Sequence, residues 1–223
     1  MNFFLIAAVI LSLNSYRLPG SYSARDIYDK CKTRTVELDS ALHRLDIQFT
    51  QKMTIQSRGG DEDSLVFRIT VNRGQFERKL VSGTVPNGDR FNGAYDAFDR
   101  MFLLSEYFSD NGKMLSSCEF ADPESDGYYR INFAFSEPSD PDNPLSTVSA
   151  VVNPVDYFPV SIRERIRGLP LGMEFDDNVH VSYDKTTALH FPREIVMRIY
   201  GKLFFLHGEI GKVIIENEGL RKL

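Results

Sequence analysis

Between Arg44 and Arg58 the sequence reads RLDIQFTQKMTIQSR, and no other stretch constrains the chain so tightly. Leu45, Ile47, Phe49, Met53 and Ile55 hold odd positions, with Gln51 the polar exception, and every even position is polar. A period of two is the side-chain alternation of a β-strand, so one face of this segment is built for burial and the other for water. Fifteen residues at about 3.3 Å each make a strand about 50 Å long, which must curve or carry a bulge.

The same pattern recurs along the chain. RGGDED at 58–63 is a hairpin turn, and the return strand puts Leu65, Phe67, Ile69 and Val71 on one face. NRGQ turns again and FERKLV (76–81) continues, giving an antiparallel meander. Further on, Ser116–Phe120 is a short strand and DPESDG (122–127) a turn. Tyr129, Ile131, Phe133 and Phe135 then share a face, and SEPSDPDNP (136–144) reads as a loop. Thr147–Val152 and Pro159–Arg167 follow as strands, the latter alternating Ile162, Glu164 and Ile166 with Arg163 and Arg165, until GLPLG (168–172) breaks it. The last third reads as strands at Val179–Tyr183, Glu194–Tyr200, Lys202–His207 and Lys212–Asn217, with Ile195, Met197 and Ile199 on one side.

Two segments have helical spacing. Ala24–Thr35 is a short N-terminal helix. Phe91–Phe108 places Phe91, Tyr95, Phe98, Met101, Phe102 and Phe108 at three- and four-residue steps, and SDNG (109–112) ends it. Strands without βαβ alternation point to an α+β, antiparallel or half-barrel design. About ten strands at ~4.8 Å spacing make a sheet about 48 Å wide, whereas one helix is about 10 Å across. Such a sheet must curl around the helix, close on itself or find another apolar partner. The aromatic helix is then either a core plug or a lid over a concavity for something apolar, with flexible Met101 and Met53 able to adapt to acyl chains. The candidate cavity residues are Phe49, Met53, Phe67, Ile69, Phe133, Phe135, Ile195, Met197 and Ile199 from strands, and Phe98, Met101 and Phe102 from the helix.

The N-terminus suggests export. The apolar run Phe3–Leu13 is shorter than the roughly 20 residues that span a bilayer and fits the central region of a secretory signal peptide. Ser21 and Ser23 are the small residues of a cleavage site before Ala24, giving a signal at 1–23 and a single domain at 24–223. Only the α-amino group is positive before Arg17, so an uncleaved anchor stays open. Either way the expected location is the periplasm. Cys31 and Cys118 can pair in such a compartment or stay as thiols, and Cys31 lacks the small apolar residues that precede a lipidation cysteine. A net charge of −5 and a pI near 5.4 argue against a nucleic-acid partner.

Motifs that carry chemistry are missing. The sequence has no HExxH, no Walker A loop, no Rossmann glycine fingerprint and no GxSxG elbow. DPESDG resembles the start of a calcium loop, but Phe133 stands where the loop needs Glu and Pro123 lies inside it. FDDN (175–178) reads as a turn beside a strand, and His43, His180, His190 and His207 are scattered. Nothing calls for a cofactor or a metal, and the expectation is a protein that is not an enzyme.

The strand–helix–strand order resembles the bacterial lipoprotein carrier superfamily, the LolA/LolB-like and LppX-like proteins. The likeness is carried by the strand pair Leu45–Ile55 and Leu65–Val71, the helix near Phe98, and the C-terminal half with Pro192–Ile195 opening a strand and a glycine before the final hairpin. It covers roughly Val36 to Glu218 and is a pattern of strand lengths and turns. It implies an incomplete antiparallel barrel with helices as a lid over an apolar cavity, binding lipid or lipoprotein acyl chains in the cell envelope. Two functions follow: a periplasmic carrier or sensor of a hydrophobic ligand, or an envelope interaction module without lipid. A hydrolase with a site assembled from separate strands is a third, weaker reading.

Overall fold

A computed structural model describes residues 22–84, 98–109, 112–121, 126–167, 173–203 and 206–223. Helix α1 (Ala24–Leu42) leads into β1 (Asp46–Ser57), β2 (Glu62–Asn72) and β3 (Gln75–Ser82). A helical stretch at 98–102 and a 3-10 turn η1 (Leu104–Phe108) come next. Then follow β4 (Met114–Phe120), β5 (Tyr129–Glu137), β6 (Asp140–Val152), β7 (Pro159–Ile166), β8 (Glu174–Asp184), β9 (Leu189–Leu203) and β10 (Leu206–Lys222). The ten strands make one antiparallel sheet in the order β3-β2-β1-β10-β9-β8-β7-β6-β5-β4, open between its edges β3 and β4. The last strand is therefore an inner one, wedged between β1 and β9, and Leu223 N–H donates to Asp46 O at 2.9 Å.

The strand read from Arg44 to Arg58 is β1, and its polar exception is explained. Gln51 is buried, and its Nε2 donates to Asn217 Oδ1 at 3.1 Å. Asn217 Nδ2 in turn donates to Pro192 O at 2.8 Å. The amide thus ties β1 to β10 and β9 across an otherwise apolar face. The turn after β2 uses Arg73 at φ 50° and Gly74 at φ 83°. Two positive φ angles in succession are the type I′ geometry that matches strand twist. A Cβ on Gly74 would also lie 2.2 Å from His43 Nδ1, so only glycine fits.

Helix α1 outruns its sequence reading, which stopped at Thr35. Ile27, Tyr28, Cys31, Thr35, Leu38 and Leu42 form one buried stripe at helical spacing. The Thr35 hydroxyl donates back to Cys31 O at 3.1 Å, so the polar residue joins the stripe at no loss. The helix starts from a capping box: Asp26 N–H donates to Ser23 Oγ at 3.1 Å and Ser23 N–H donates to Asp26 Oδ2 at 2.8 Å. Tyr22 and Ser23 thus belong to the folded unit, and a cut before Ala24 would remove the cap. The rest of the signal segment, 1–21, lies outside the described residues.

Other boundaries also differ. SEPSDPDNP is a hairpin with strand on both sides, β5 running to Glu137 and β6 starting at Asp140. Its prolines are tolerated because β7 pairs with β6 only from Ser146 onward, which leaves Pro141 and Pro144 without a ladder to feed on that side. FDDN is strand, inside β8. The segments read at Glu194–Tyr200 and Lys202–His207 belong to a longer β9 and to the start of β10. Asp122, Glu124, GLPLG and the 91–97 part of the aromatic helix, Tyr95 included, lie outside the described residues.

The sheet curls about its covering helices. Phe102 stacks on Phe49 of β1, and six residues later Phe108 stacks on Phe133 of β5. In a flat sheet β1 and β5, six strands apart, would be separated by about 29 Å. Six residues of mostly 3-10 chain advance only about 12 Å. The apolar inner face therefore bends toward the helices, and the width problem posed by the sequence is solved by curvature together with α1, which packs over η1, β4 and β5.

Candidate functional site

The covering segment 98–108 is not one continuous helix. Leu103 is extended (φ −83°, ψ 106°) and separates the helical stretch 98–102 from η1. The break lets two short turns aim at different parts of the curved face. Phe98 and Phe102 are buried from the first turn, and Leu104, Tyr107 and Phe108 from the second. The segment is pinned from outside. Ser105 N–H donates to Asp39 Oδ2 at 2.9 Å, Tyr28 OH donates to Phe108 O at 2.8 Å, and Arg78 grips Asp99 through both carboxylate oxygens. Asp39 is itself buried on α1, and that burial pushes its carboxyl up despite the Ser105 hydrogen bond.

Under the first turn the inner face is aromatic. Phe102 lies parallel to Phe49 at 4.9 Å and meets Phe76 edge-on at 5.6 Å. Under the second, Phe108 lies 5.4 Å from Phe133, and Tyr28 of α1 meets Phe133 edge-on at 4.9 Å. The residues singled out from the sequence converge here. Phe49, Met53, Phe67, Ile69, Phe98, Phe102, Phe133, Phe135, Ile195 and Met197 are buried in one apolar cluster, with Met101 and Ile199 packed at its margin. An open groove of about 690 Å³ lies elsewhere, on the outer side of α1. There Lys30 Nζ sits 3.6 Å from the Tyr22 ring and 4.2 Å from the Tyr157 ring, so the aromatic cage is already filled by the chain's own ammonium.

A polar row crosses the inner face beneath η1. Register pairs Val148 with Glu164, Glu164 with Asp177, and Asp177 with Met197, so two carboxyls stand directly opposite each other between apolar neighbours. Ser146 Oγ donates to Glu164 at 2.5 Å. Asp177 is 2% exposed and its Oδ1 has no hydrogen-bond partner among the described residues. Burial first, and then the neighbouring Glu164 and Asp176, push the Asp177 carboxyl up to about 8. Burial also raises Glu164, while Ser146 and Lys113 pull it back. Tyr107 comes down from η1, 3% exposed, and its hydroxyl likewise lacks a partner among the described residues. After burial, the charges that raise its pKa are those of Asp177 and Glu164.

Sequence reading missed this row. Glu164 was visible as an acid between Ile162 and Ile166 on an alternating strand, which is the one signal that could have found it. Asp177 was hidden because FDDN has the composition of a turn.

The remaining candidates stay apart. Cys31 is buried on α1 and Cys118 half-buried on β4, and both are free thiols. Burial raises both pKa values, so neither is a ready thiolate. His190 stacks on Phe158 at 4.0 Å and lies 3.4 Å from Asp156, whereas His180 faces Glu194 at 3.9 Å. Among the described residues no three His, Cys, Asp or Glu side chains gather as a metal site.

No protein-family model matches the sequence, and no curated protein matches it. Among solved structures the chain is similar to a LolA superfamily protein from Nitrosomonas europaea, at 14% identity and a TM-score of 0.39 over 90% of this chain and 94% of that one. It is similar to a protein domain from Vibrio parahaemolyticus assigned to outer-membrane lipoprotein sorting, at 9% identity and a TM-score of 0.41 over 87% and 93%. A DUF1329 family protein from Desulfovibrio piger matches at 11% identity and a TM-score of 0.43 over 91% and 94%. The neighbours thus include the group that the strand–helix–strand order resembles.

Proposed function

We propose that this chain is a non-enzymatic carrier or sensor of the cell envelope that holds an acyl chain of a lipid or lipoprotein between the segment 98–108 and the inner face of the sheet. The observation that carries the reading is the seating of Phe102. A single short turn inserts an aromatic ring against Phe49 and Phe76 of an open, curved sheet, and that ring occupies the volume an acyl chain would take. Strand-to-strand hydrogen bonds hold the sheet together independently of this turn, so the turn can yield its place without dismantling the fold. Met53, Met101 and Met197 supply side chains that adapt to a flexible guest. The apolar run Phe3–Leu13 supports delivery to the periplasm, and the use of Tyr22 and Ser23 in the fold favours a mature chain that keeps both.

The test is binding of a fluorescent long-chain fatty acid to delipidated protein, with native mass spectrometry of gently purified protein for lipid that travels with it. Binding at micromolar probe supports the carrier. No binding and no co-purified lipid would leave the second reading, an interaction module of the envelope. That reading is favoured by Leu80, Val81, Met114 and Phe120, which stay exposed on the two edge strands.

A further inference from the structure

The inner face spends two carboxyls where a pure acyl-chain site would spend none. Glu164 and Asp177 are opposed in register on one face, and like charges so placed repel. Burial removes the water that would screen them, so the pair keeps a proton at neutral pH. Asp177 Oδ1 and the Tyr107 hydroxyl are both almost wholly buried and both lack a partner among the described residues. Buried polar atoms in folded proteins are nearly always hydrogen-bonded, so two left open on different elements, with the Tyr107 hydroxyl within electrostatic reach of both carboxyls, mark a place for a ligand atom. The three groups come from β7, β8 and η1, with Ser146 of β6 fixing Glu164 from the side.

We propose that Glu164, Asp177 and Tyr107 form the seat for the polar end of the bound lipid, and that this end is a primary ammonium. The proposal rests on the carrier reading and deepens it. An ammonium carries three donors and no acceptor, which suits two carboxyls and a phenolic oxygen. A carboxylate or phosphate head would bring further negative charge to a pair that already holds one. An alcohol could donate to one acceptor only and would bring no counter-charge to the pair. Partial exposure of Glu164 gives the seat a side open toward water, while Asp177 lies deep. Lys113 and Glu106 are the other charges acting on Glu164, of opposite sign, and Asp176 acts on Asp177 from the far face. Entry of the ammonium displaces the proton that the pair holds: Asp177 ionises, the proton goes to solvent, and the pair becomes two carboxylates around one cation.

The experiment uses the full delipidated chain and the neutral probe N-phenyl-1-naphthylamine, displaced by dodecylamine, dodecanol or dodecanoate at pH 7. Dodecylamine is expected to displace at a concentration about tenfold lower than dodecanoate, with dodecanol between them and with proton release accompanying the amine alone. In Asp177→Asn combined with Glu164→Gln the amine preference should fall to within about twofold while dodecanol binds as before. Tyr107→Phe keeps the ring and should lower amine affinity alone, which guards against a double variant that fails to fold. Equal affinities, a preference for dodecanoate, or an amine preference that survives the variants would overturn the seat and leave the carrier standing. Displacement by none of the three would overturn both.

Discussion

Asp176 and Asp177 are neighbours in β8 with the same side chain and opposite fates. Asp176 points to the outer face, where Arg163 Nε reaches Oδ1 at 2.9 Å and Nη2 reaches Oδ2 at 2.7 Å. That two-pronged contact holds its carboxyl below the usual carboxylate range, with Arg165 and Arg198 adding to it. Asp177 points to the inner face, meets Glu164 and, among the described residues, no cation, and is pushed up to about 8. One step along a strand reverses the side of the sheet. Both acids are covered, so the difference is the partner: the outer face is a ladder of ion pairs that keeps Asp176 charged, and the inner face is a dry chamber that suppresses charge. An acid is placed on the second only at a cost, and that cost is what singles out the row beneath η1 from the ion pairs behind it.

The largest test of the dry face is Phe102→Ala. Phe102 is buried, stacked on Phe49 and edge-on to Phe76. Removing a buried aromatic side chain commonly lowers stability by about 3–5 kcal/mol, and urea unfolding measures it. In a carrier, a saturating acyl ligand should restore part of that loss, because ligand bound only by the folded state adds stability. A loss below about 1 kcal/mol would mean that the first turn is not a true plug and that the inner face is wetter than Asp177 requires.

Asp177→Asn probes the same face through pH. The native carboxyl titrates near 8, whereas in the unfolded chain it titrates near 3.9. Between these values the native state holds a proton that the unfolded state has lost, so stability falls as pH rises, by at most about 1.4 kcal/mol per pH unit from this group. Glu164 is raised as well and acts in the same direction. The asparagine variant should therefore be less sensitive to pH between 5 and 8 than the parent, and its relative advantage should grow toward pH 8. Parallel stability curves for the two proteins would show that the Asp177 carboxyl is charged throughout and that its surroundings are not dry.

The contrast between faces also explains what could be read before the structure. The alternation in β1, β2 and β5 assigned Phe49, Phe67 and Phe133 to the buried side because a strand with one wet face writes its burial in every second residue. The same logic failed at FDDN, where an acid sits at an inward position and composition outweighs period. Helical spacing located Phe98 and Phe102, but it could not reveal the break at Leu103, which depends on Asp39 of α1 capping Ser105 from 66 residues away in sequence. Gln51 was legible as an exception and illegible as a bond, since Asn217 lies 166 residues downstream. Local periodicity reports which face a residue takes. Partners that meet only through tertiary packing leave no local trace.

On the outer face Asp176→Asn should cost about 1.5–3 kcal/mol at neutral pH, the scale of hydrogen bonds to a charged group, because the Asp176 carboxylate is itself covered and Arg163 is its partner. Arg163 is largely exposed and is not stranded by the change. The sign with pH is the reverse of that at Asp177. A lowered native pKa contributes stability that is present above the unfolded value and is lost as pH falls through the native one. The difference between parent and variant should thus be full at pH 7 and close only as pH falls below the unfolded value near 3.9. If it instead widened as pH fell, the assignment of Asp176 to the outer ladder would be wrong.

The smallest effect belongs to Glu174→Gln. Glu174 accepts from Arg165 Nη2 at 3.1 Å, one contact along the ladder from Arg163 and Asp176, with side chains 25% and 41% exposed. A pair so open to water is worth about 0.2–1 kcal/mol, because solvent screens it and two long side chains lose freedom to form it. Thermal melts of parent and variant should differ by little at low salt and by less at 1 M, where the screening length is about 3 Å. Asp176 should keep its lowered pKa in the variant, since Arg163 supplies most of the effect and Arg165, released from Glu174, stays nearby. A loss as large as that for Asp176→Asn would change the picture of the outer face. It would mean that Arg163, Arg165, Asp176 and Glu174 act as one network, and that part of the restraint on β7 and β8, the strands carrying the inner carboxyls, comes from charges on the opposite side of the sheet.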